Sequence, residues 1–195
     1  MTAKFGGGRN ARRLKRCADI VLAGAGLVAL SPLLAAIGGA IRITMGAPVI
    51  YRQPRPGLGG EIFIVVKFRT MRATTDASGR DLSDAERITR LGELLRRTSL
   101  DELPQLWNVV LGDMSMVGPR PPLAREVSGY ERHTHRRLLI KPGLTGLWQI
   151  NGRSDLSWDE AMRLDLYYVE NWSIPGDLLI LWRTFRAVIQ PSGAY

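Results

Sequence analysis

The chain has 195 residues and a formal charge of +9, from 27 Lys and Arg against 18 Asp and Glu, so it is long enough for one domain with an appendage and basic enough to need an anionic partner. Its single cysteine, Cys17, excludes an internal disulfide and fits a reducing compartment, and neither a helix start nor a base beside it supports a catalytic thiol. Nucleic acid, a phospholipid surface and a nucleotide substrate all satisfy the charge, and where that charge sits separates them.

Residues 1–10 are Gly-rich and basic with nothing to pack, and segment 1–14 reads as a basic disordered arm. Lys4, Arg9, Arg12, Arg13, Lys15 and Arg16 immediately precede the most apolar stretch of the chain, which favours a membrane surface. From Ile20 to Ile41, 22 residues carry no charge. As one helix they would be about 33 Å long at about 1.5 Å per residue, enough to cross a hydrocarbon core of roughly 30 Å. No small-residue cleavage site marks a signal peptide.

Pro32 argues against a straight span, because it removes a backbone donor and its ring presses on the preceding turn. The flanks agree: basic residues precede the run and return at Arg42, Arg52, Arg55, Lys67, Arg69 and Arg72, so both ends prefer the cytoplasmic side. The expectation is a re-entrant membrane helix over 15–45, broken at Ser31-Pro32, with the freed carbonyls met by the Ser31 hydroxyl or by water. A kinked span and a buried soluble helix are the alternatives.

Beyond the run, Val49 to Gln53 and Ile62 to Phe68 are β-rich and flank Pro54-Arg55-Pro56-Gly57-Leu58-Gly59-Gly60, predicting a hairpin with a long loop. Thr74 to Arg80 reads as a polar linker. Ser83-Asp84-Ala85-Glu86 has the form of a capping box, and Ile88, Leu91 and Leu95 follow at helical spacing, predicting a helix over 84–97. A second helix carries Leu103, Leu106, Trp107 and Val110 and stops at Gly112. Trp158 to Glu170 and Gly176 to Ile189 read as helices. The last sets Leu178, Leu181, Trp182, Phe185 and Ile189 on one side and Arg183 and Arg186 on the other, which suits either a membrane interface or a core with a solvated basic face.

Asp101 and Glu102 are adjacent carboxylates within Arg96-Arg97-Thr98-Ser99-Leu100-Asp101-Glu102-Leu103-Pro104-Gln105. On local grounds they could simply cap a helix, since Ser99 and Glu102 match a capping box, although Pro104 sits awkwardly inside it. The same placement suits phosphoryl transfer, because a helix dipole and two arginines would keep a carboxylate ionised and draw a phosphate to it. Aspartate can attack phosphorus to give an acyl phosphate, and Glu102, with Asp101, can hold Mg²⁺ against a diphosphate.

Lys67, Arg69, Arg96, Arg97, Arg120, Lys141 and Arg153 are the candidate phosphate-binding cations, several of them fixed on Gly- and Pro-rich turns, and Asp165 is placed with them as a substrate-binding candidate. His133 and His135, two apart, do not share a face on a strand and make a poor metal pair. The five tryptophans suit a membrane belt or a core equally.

From Lys15 to Tyr195 the chain resembles the bacterial sugar transferases called monotopic phosphoglycosyl transferases. The matching stretches are Lys15-Arg16 with Asp19, Ser31-Pro32, Lys67-Phe68-Arg69-Thr70-Met71, Thr98 to Gln105, and Gly112-Asp113-Met114-Ser115-Met116-Val117-Gly118-Pro119-Arg120-Pro121. The resemblance implies that Asp101 attacks the sugar-bearing phosphorus of a UDP-sugar and that UMP leaves. A polyprenyl (undecaprenyl) phosphate then collects the phosphosugar. It implies a mixed, mainly α monotopic membrane protein with a small β-hairpin, a Ser-Pro-broken re-entrant helix and interfacial amphipathic helices.

The same resemblance places a catalytic domain over 46–195 on the cytoplasmic face of the bacterial inner membrane, among membrane lipids, and admits a homodimer. Lys141-Pro142-Gly143 through Asn151-Gly152-Arg153 looks like members that transfer a hexose 1-phosphate such as that of glucose or galactose, and the chain resembles the minimal catalytic form. Against this stand a membrane-tethered nucleic-acid-binding protein, for which the sequence offers charge but no reading motif, and a scaffold whose Asp-Glu pair only caps a helix.

Overall fold

The apolar run folds as two helices, α1 (Arg9–Ala29) and α2 (Ser31–Met45), in a computed structural model that describes residues 8–75, 78–152 and 156–189. Their axes meet at 61°. Pro32 has no N–H to give the carbonyl of Val28, and the Ser31 hydroxyl donates to that oxygen instead at 2.8 Å, so the break leaves no orphaned acceptor there. No single helix among the described residues is long and apolar enough to cross a membrane, whereas the bent pair together has that length and composition. Residues 9–14, expected within an arm without structure, form the first turns of α1.

The helix pair is tied to the rest of the chain by charged side chains near the start of α1. Arg16 donates to the carbonyls of Val109 and Val110 at 2.6 and 2.8 Å, and buried Asp19 accepts from the Met116 N–H at 3.0 Å. Lys15 pairs with Asp177 at 2.6 Å. Lys15 and Arg16, read from sequence as part of a membrane-facing basic cluster, are therefore committed to the protein, while Arg9, Arg12 and Arg13 stay exposed.

The predicted hairpin is β1 (Ile50–Pro56) against β2 (Ile62–Phe68), with Tyr51 opposite Lys67, Gln53 opposite Val65 and Arg55 opposite Phe63. Side chains alternate across the pleat, so Tyr51, Gln53, Arg55 and Lys67 share one face, while Ile50, Arg52, Val66 and Phe68 share the other. Phe68 packs with Ile37 and Ile41 of α2 and with Leu95, all buried, each worth about 1.5–3 kcal/mol in removed apolar surface.

The helix predicted over 84–97 is interrupted. It divides into α3 (Asp84–Arg87), closed by the expected Ser83–Glu86 capping box, and α4 (Arg90–Arg97). Between them Ile88 is extended and bridges Met71, and the Thr89 hydroxyl caps α4 by accepting from Gly92 N–H at 2.9 Å. A 3-10 turn, Leu100–Gln105, leads into α5 (Leu106–Leu111). Asn108 pins α5 to the hairpin by donating to Ile64 O at 2.7 Å and accepting from Val66 N–H at 3.1 Å.

A second, parallel sheet was not anticipated: β3 (Ser115–Val117) pairs with β4 (Gly143–Thr145). Gly143 is required there, since a Cβ on it would stand 2.0 Å from Gly118 N. After α6 (Ala124–Ser128) and a 3-10 turn, Thr134–Leu139, come α7 (Trp158–Asn171) and α8 (Ile174–Ile189). Val117, Tyr168 and Ile180 form the core between β3 and these helices. On α8 the apolar stripe turns outward, with Leu178, Trp182 and Phe185 all about 60% exposed. Leu181 of the same stripe packs on that core, so the stripe divides between the core and an open apolar face. Trp107, Trp158 and Trp182 are exposed as well, so they do not build the core.

Candidate active site

Asp101 and Glu102 are held by the 3-10 turn and not by an α-helix start. Ser99 adopts φ 57°, ψ 17°, a left-handed conformation that a non-glycine residue takes at a cost of about 1–2 kcal/mol, and its side chain makes no capping bond. The Ser99–Glu102 capping box is therefore absent, whereas boxes do form at Ser83–Glu86 and Ser157–Glu160. This removes the local support for a purely capping role. Pro104 is accommodated in the 3-10 turn, ahead of the α-helix proper.

The left-handed turn reverses the chain after α4 and brings the carboxylates against β2. Lys67 pairs with Glu102 at 2.5 Å, both side chains only partly exposed. Arg96 lies close enough to act on Asp101, and its Nε donates to the buried Thr70 hydroxyl at 2.9 Å. Gly92 lets α4 approach there, since a Cβ would fall 1.9 Å from Thr70 O.

Asp101 is raised to about 6, first by burial and then by the neighbouring Glu102 carboxylate, with Lys67 and Arg96 pulling the other way. This corrects the expectation that a helix dipole and two arginines hold it firmly ionised: there is no α-helix terminus at Asp101, and Arg97 points to solvent. A carboxylate with this pKa is still largely ionised at neutral pH and more basic than an ordinary aspartate.

The remaining predicted cations do not converge here. Arg69 closes the C-terminal end of α2 by donating to the carbonyls of Met45, Gly46 and Ala47. Lys141 stands against Arg16, Asp19 and Asp113 near the end of α5, and burial with the Arg16 charge lowers its pKa. Asp165, 1% exposed, pairs with buried Arg137 at 2.6 Å. Arg137 in turn donates to Arg120 O at 3.2 Å, which lets Asp165 and Arg137 support the loop that carries Arg120. Arg120 is exposed with its guanidinium 5.7 Å from the Trp148 ring centre. Arg153 lies outside the described residues.

On the hairpin face opposite Lys67 opens an apolar groove of about 510 Å³. Leu27, Leu34 and Gly38 of the bent helix pair form one wall, Phe68 of β2 another, and Trp107 with Pro104, which shares the 3-10 turn of Asp101, a third; Arg52 is the one charged residue of the lining. Among the described residues no three His, Cys, Asp or Glu side chains converge, so a metal ion at Asp101 and Glu102 would take its other ligands from water and substrate. That donor set fits Mg²⁺, which takes one or two carboxylates and fills its octahedron with water and phosphate oxygens. A divalent cation would also relieve the repulsion that raises Asp101.

Sequence reasoning passed over Arg137, Asn108 and Asp177. The last accepts from Lys15, Tyr168 and Trp172 and locks α8 to α1. Their signal is three-dimensional, because Asn108 and Asp177 are lone polar residues beside apolar stretches, Arg137 is one of a run of charges, and the partners of all three include residues elsewhere in the chain.

The profile of the family described as bacterial sugar transferase matches residues 10–191. The uncharacterized sugar transferase EpsL of Bacillus subtilis is 44% identical over 180 residues, covering 92% of this chain and 89% of that protein. The undecaprenyl-phosphate galactose phosphotransferase of Salmonella typhimurium is 38% identical over 205 residues, covering 96% of this chain and 43% of its own length. The UDP-glucose:undecaprenyl-phosphate glucose-1-phosphate transferase of Xanthomonas campestris is 40% identical over 193 residues, with 93% and 40% covered. The chain thus spans under half the length of the latter two relatives.

Proposed function

The chain belongs to the bacterial sugar transferase family, and from that premise we propose that it moves a hexose 1-phosphate from a UDP-sugar to a polyprenyl phosphate such as undecaprenyl phosphate. The observation that carries the reading is a partly buried carboxylate pair with a neutralising lysine, on a 3-10 turn whose Pro104 lines an apolar groove walled by the bent helices.

In the first half-reaction an Asp101 carboxylate oxygen attacks the sugar-bearing phosphorus, the bond from that phosphorus to the bridging oxygen breaks, and UMP departs with the electron pair. In the second, a phosphate oxygen of the polyprenyl phosphate attacks the acyl phosphate, the bond to Asp101 breaks, and the carboxylate returns with a polyprenyl diphosphosugar as product. Lys67 holds Glu102 in place and offsets its charge. The groove takes the first isoprene units and brings the acceptor phosphate to Asp101, and its apolar lining excludes water that would hydrolyse the intermediate. Mg²⁺ held by Glu102 and Asp101 would supply charge compensation on the diphosphate.

A UDP-sugar panel with Mg²⁺ and no acceptor should give one UMP per enzyme and a mass increase on Asp101 for the preferred hexose. No UMP with any UDP-hexose would defeat the reading. Glu102→Gln and removal of Mg²⁺ should each depress that burst, and together no further than the worse of the two, because both remove the same compensation. Full activity of Glu102→Gln at ordinary Mg²⁺ would exclude Glu102 as a ligand.

The same reading places the catalytic part on the cytoplasmic face of the inner membrane, with α1 and α2 dipping into the lipid and the open face of α8 lying in the interface. Tags at both ends of the chain should react from the cytoplasm. Replacing Ser31-Pro32 with Ala-Leu should merge the helices into one apolar helix of about 33 Å and give a mixed population, because the positive arm resists crossing. A wild-type N-terminus reachable only from outside would overturn the re-entrant reading and leave the Asp101 chemistry untouched.

A further inference from the structure

Arg55 is 8% exposed on the hairpin face that also carries Lys67, and it has no ion-pair partner among the described residues. Its contacts are neutral: Nε and Nη2 donate to Gln53 Oε1 at 3.1 and 2.8 Å, and Nη1 donates to Pro121 O at 3.0 Å. A guanidinium has five N–H donors, so these three bonds leave two, one on each Nη nitrogen. Glu126 and Glu102 act on it through space, but neither lies at ion-pair distance.

The nearby charge is of the same sign. Burial and the positive charge of Arg120 both lower the Arg55 pKa. Two guanidiniums near enough to repel, one of them buried, are a costly arrangement that an anion taken up by both would relieve. Next to Arg120 the Trp148 indole N–H is buried without an acceptor among the described residues. The Asp165–Arg137 pair holds the backbone carbonyl of Arg120, and Gln53 holds the Arg55 guanidinium, so the Arg55 fork is fixed before any ligand arrives.

Position gives the anion its identity. Along β1, Arg55 is four residues from Tyr51, which pairs with Lys67, a main-chain distance of about 13 Å at about 3.3 Å per residue. Lys67 stands at Glu102, where the reacting phosphorus belongs, and Glu102 is near enough to Arg55 to raise its pKa. A diphosphate reaching from Asp101 along this face leads its second phosphate toward Arg55.

We propose that Arg55 and Arg120 form the seat of the phosphate that leaves with the nucleoside, their free N–H groups receiving the charge that builds on it as the diphosphate breaks. This rests on the reading of the donor as a nucleoside diphosphate sugar. It makes Arg55 a further substrate-contacting residue of the first half-reaction and gives it no part in the second.

The test is titration of the full chain in lipid nanodiscs with UMP and with uridine, alongside exchange of labelled UMP into UDP-sugar without acceptor. Arg55→Gln should weaken UMP roughly ten- to a hundred-fold, as for loss of charge-assisted bonds, leave uridine unchanged and slow exchange by at least the same factor; Arg55→Lys should recover part of both. UMP binding within twofold of wild type in a folded Arg55→Gln protein would overturn the proposal. Should Arg55→Gln not fold for want of its bond to Pro121, the exposed Arg120→Gln decides: weakened UMP with unchanged uridine supports the seat, and unchanged UMP overturns it. A wild-type protein that exchanges no UMP would instead defeat the reading of the donor.

Discussion

Asp101→Asn is expected to abolish UMP release and, at the same time, to make the protein more stable above pH 6. Loss of the nucleophile should lower turnover at least about 1,000-fold, or about 4 kcal/mol of barrier, since an amide of the same shape cannot attack phosphorus. The stability change follows from the raised pKa. With Asp101 at about 6 in the folded protein and 3.8 as a free side chain, the folded state binds more protons between those values. Stability is therefore greatest below pH 3.8 as far as this group is concerned, falls as pH rises through the interval, and stays low above pH 6.

At about 1.36 kcal/mol per unit the full cost of ionising Asp101 is about 3 kcal/mol, and partial solvent access reduces it to about 1–2 kcal/mol. Asparagine does not titrate and escapes that cost. Thermal unfolding at pH 8 should show the variant a few degrees above wild type, with the gap closing by pH 4. A residue that merely capped a helix would leave stability nearly unchanged, since asparagine caps about as well as aspartate, and would leave turnover alone. A folded Asp101→Asn protein with wild-type turnover would remove Asp101 from the mechanism.

The break at Ser31-Pro32 was legible in the sequence because its cause is local: a missing N–H at Pro32 and a hydroxyl one residue earlier that takes over the Val28 carbonyl. The hairpin was legible for a similar reason, its two β-rich runs being bounded by a Pro- and Gly-rich loop. The interruption at Ile88 and Thr89 was not, since Ile88 keeps the helical spacing of Leu91 and Leu95 while its conformation is decided by Met71, far away in the chain. The β3–β4 pair escaped because each strand has three residues and the pairing joins distant segments.

The reactive pair could be picked out by motif, but its environment could not. Lys141 sits on a Pro- and Gly-flanked turn as Arg120 does, and Arg69 directly follows β2, yet Arg69 closes α2 and Lys141 lies by the end of α5. A cation on a rigid turn is as good a helix C-cap as a phosphate ligand, and only the fold distinguishes them. Arg55 was read as one of several flanking charges; burial without a carboxylate is what sets it apart.

Lys67→Met should lower kcat/KM about 100-fold at pH 7 and move the acid limb of its pH profile upward. The ammonium sits 2.5 Å from Glu102 and is the first of the charges that hold Asp101 down against burial and its neighbour. Without it, Glu102 faces Asp101 uncompensated, the Asp101 pKa rises above about 6, and a larger share of the enzyme carries a protonated nucleophile at any given pH below neutrality. The loss should therefore be greater at pH 6 than at pH 8, where what is left is weaker attraction of the diphosphate. Lys67→Arg keeps the charge and should keep the limb in place even if its geometry costs some rate. Mg²⁺ bound beside the pair would pull the limb down in both proteins, so the difference between them, measured at one fixed Mg²⁺ concentration, is the quantity to read. A limb that does not move in a folded Lys67→Met enzyme would mean that the ionisation it reports is not that of Asp101.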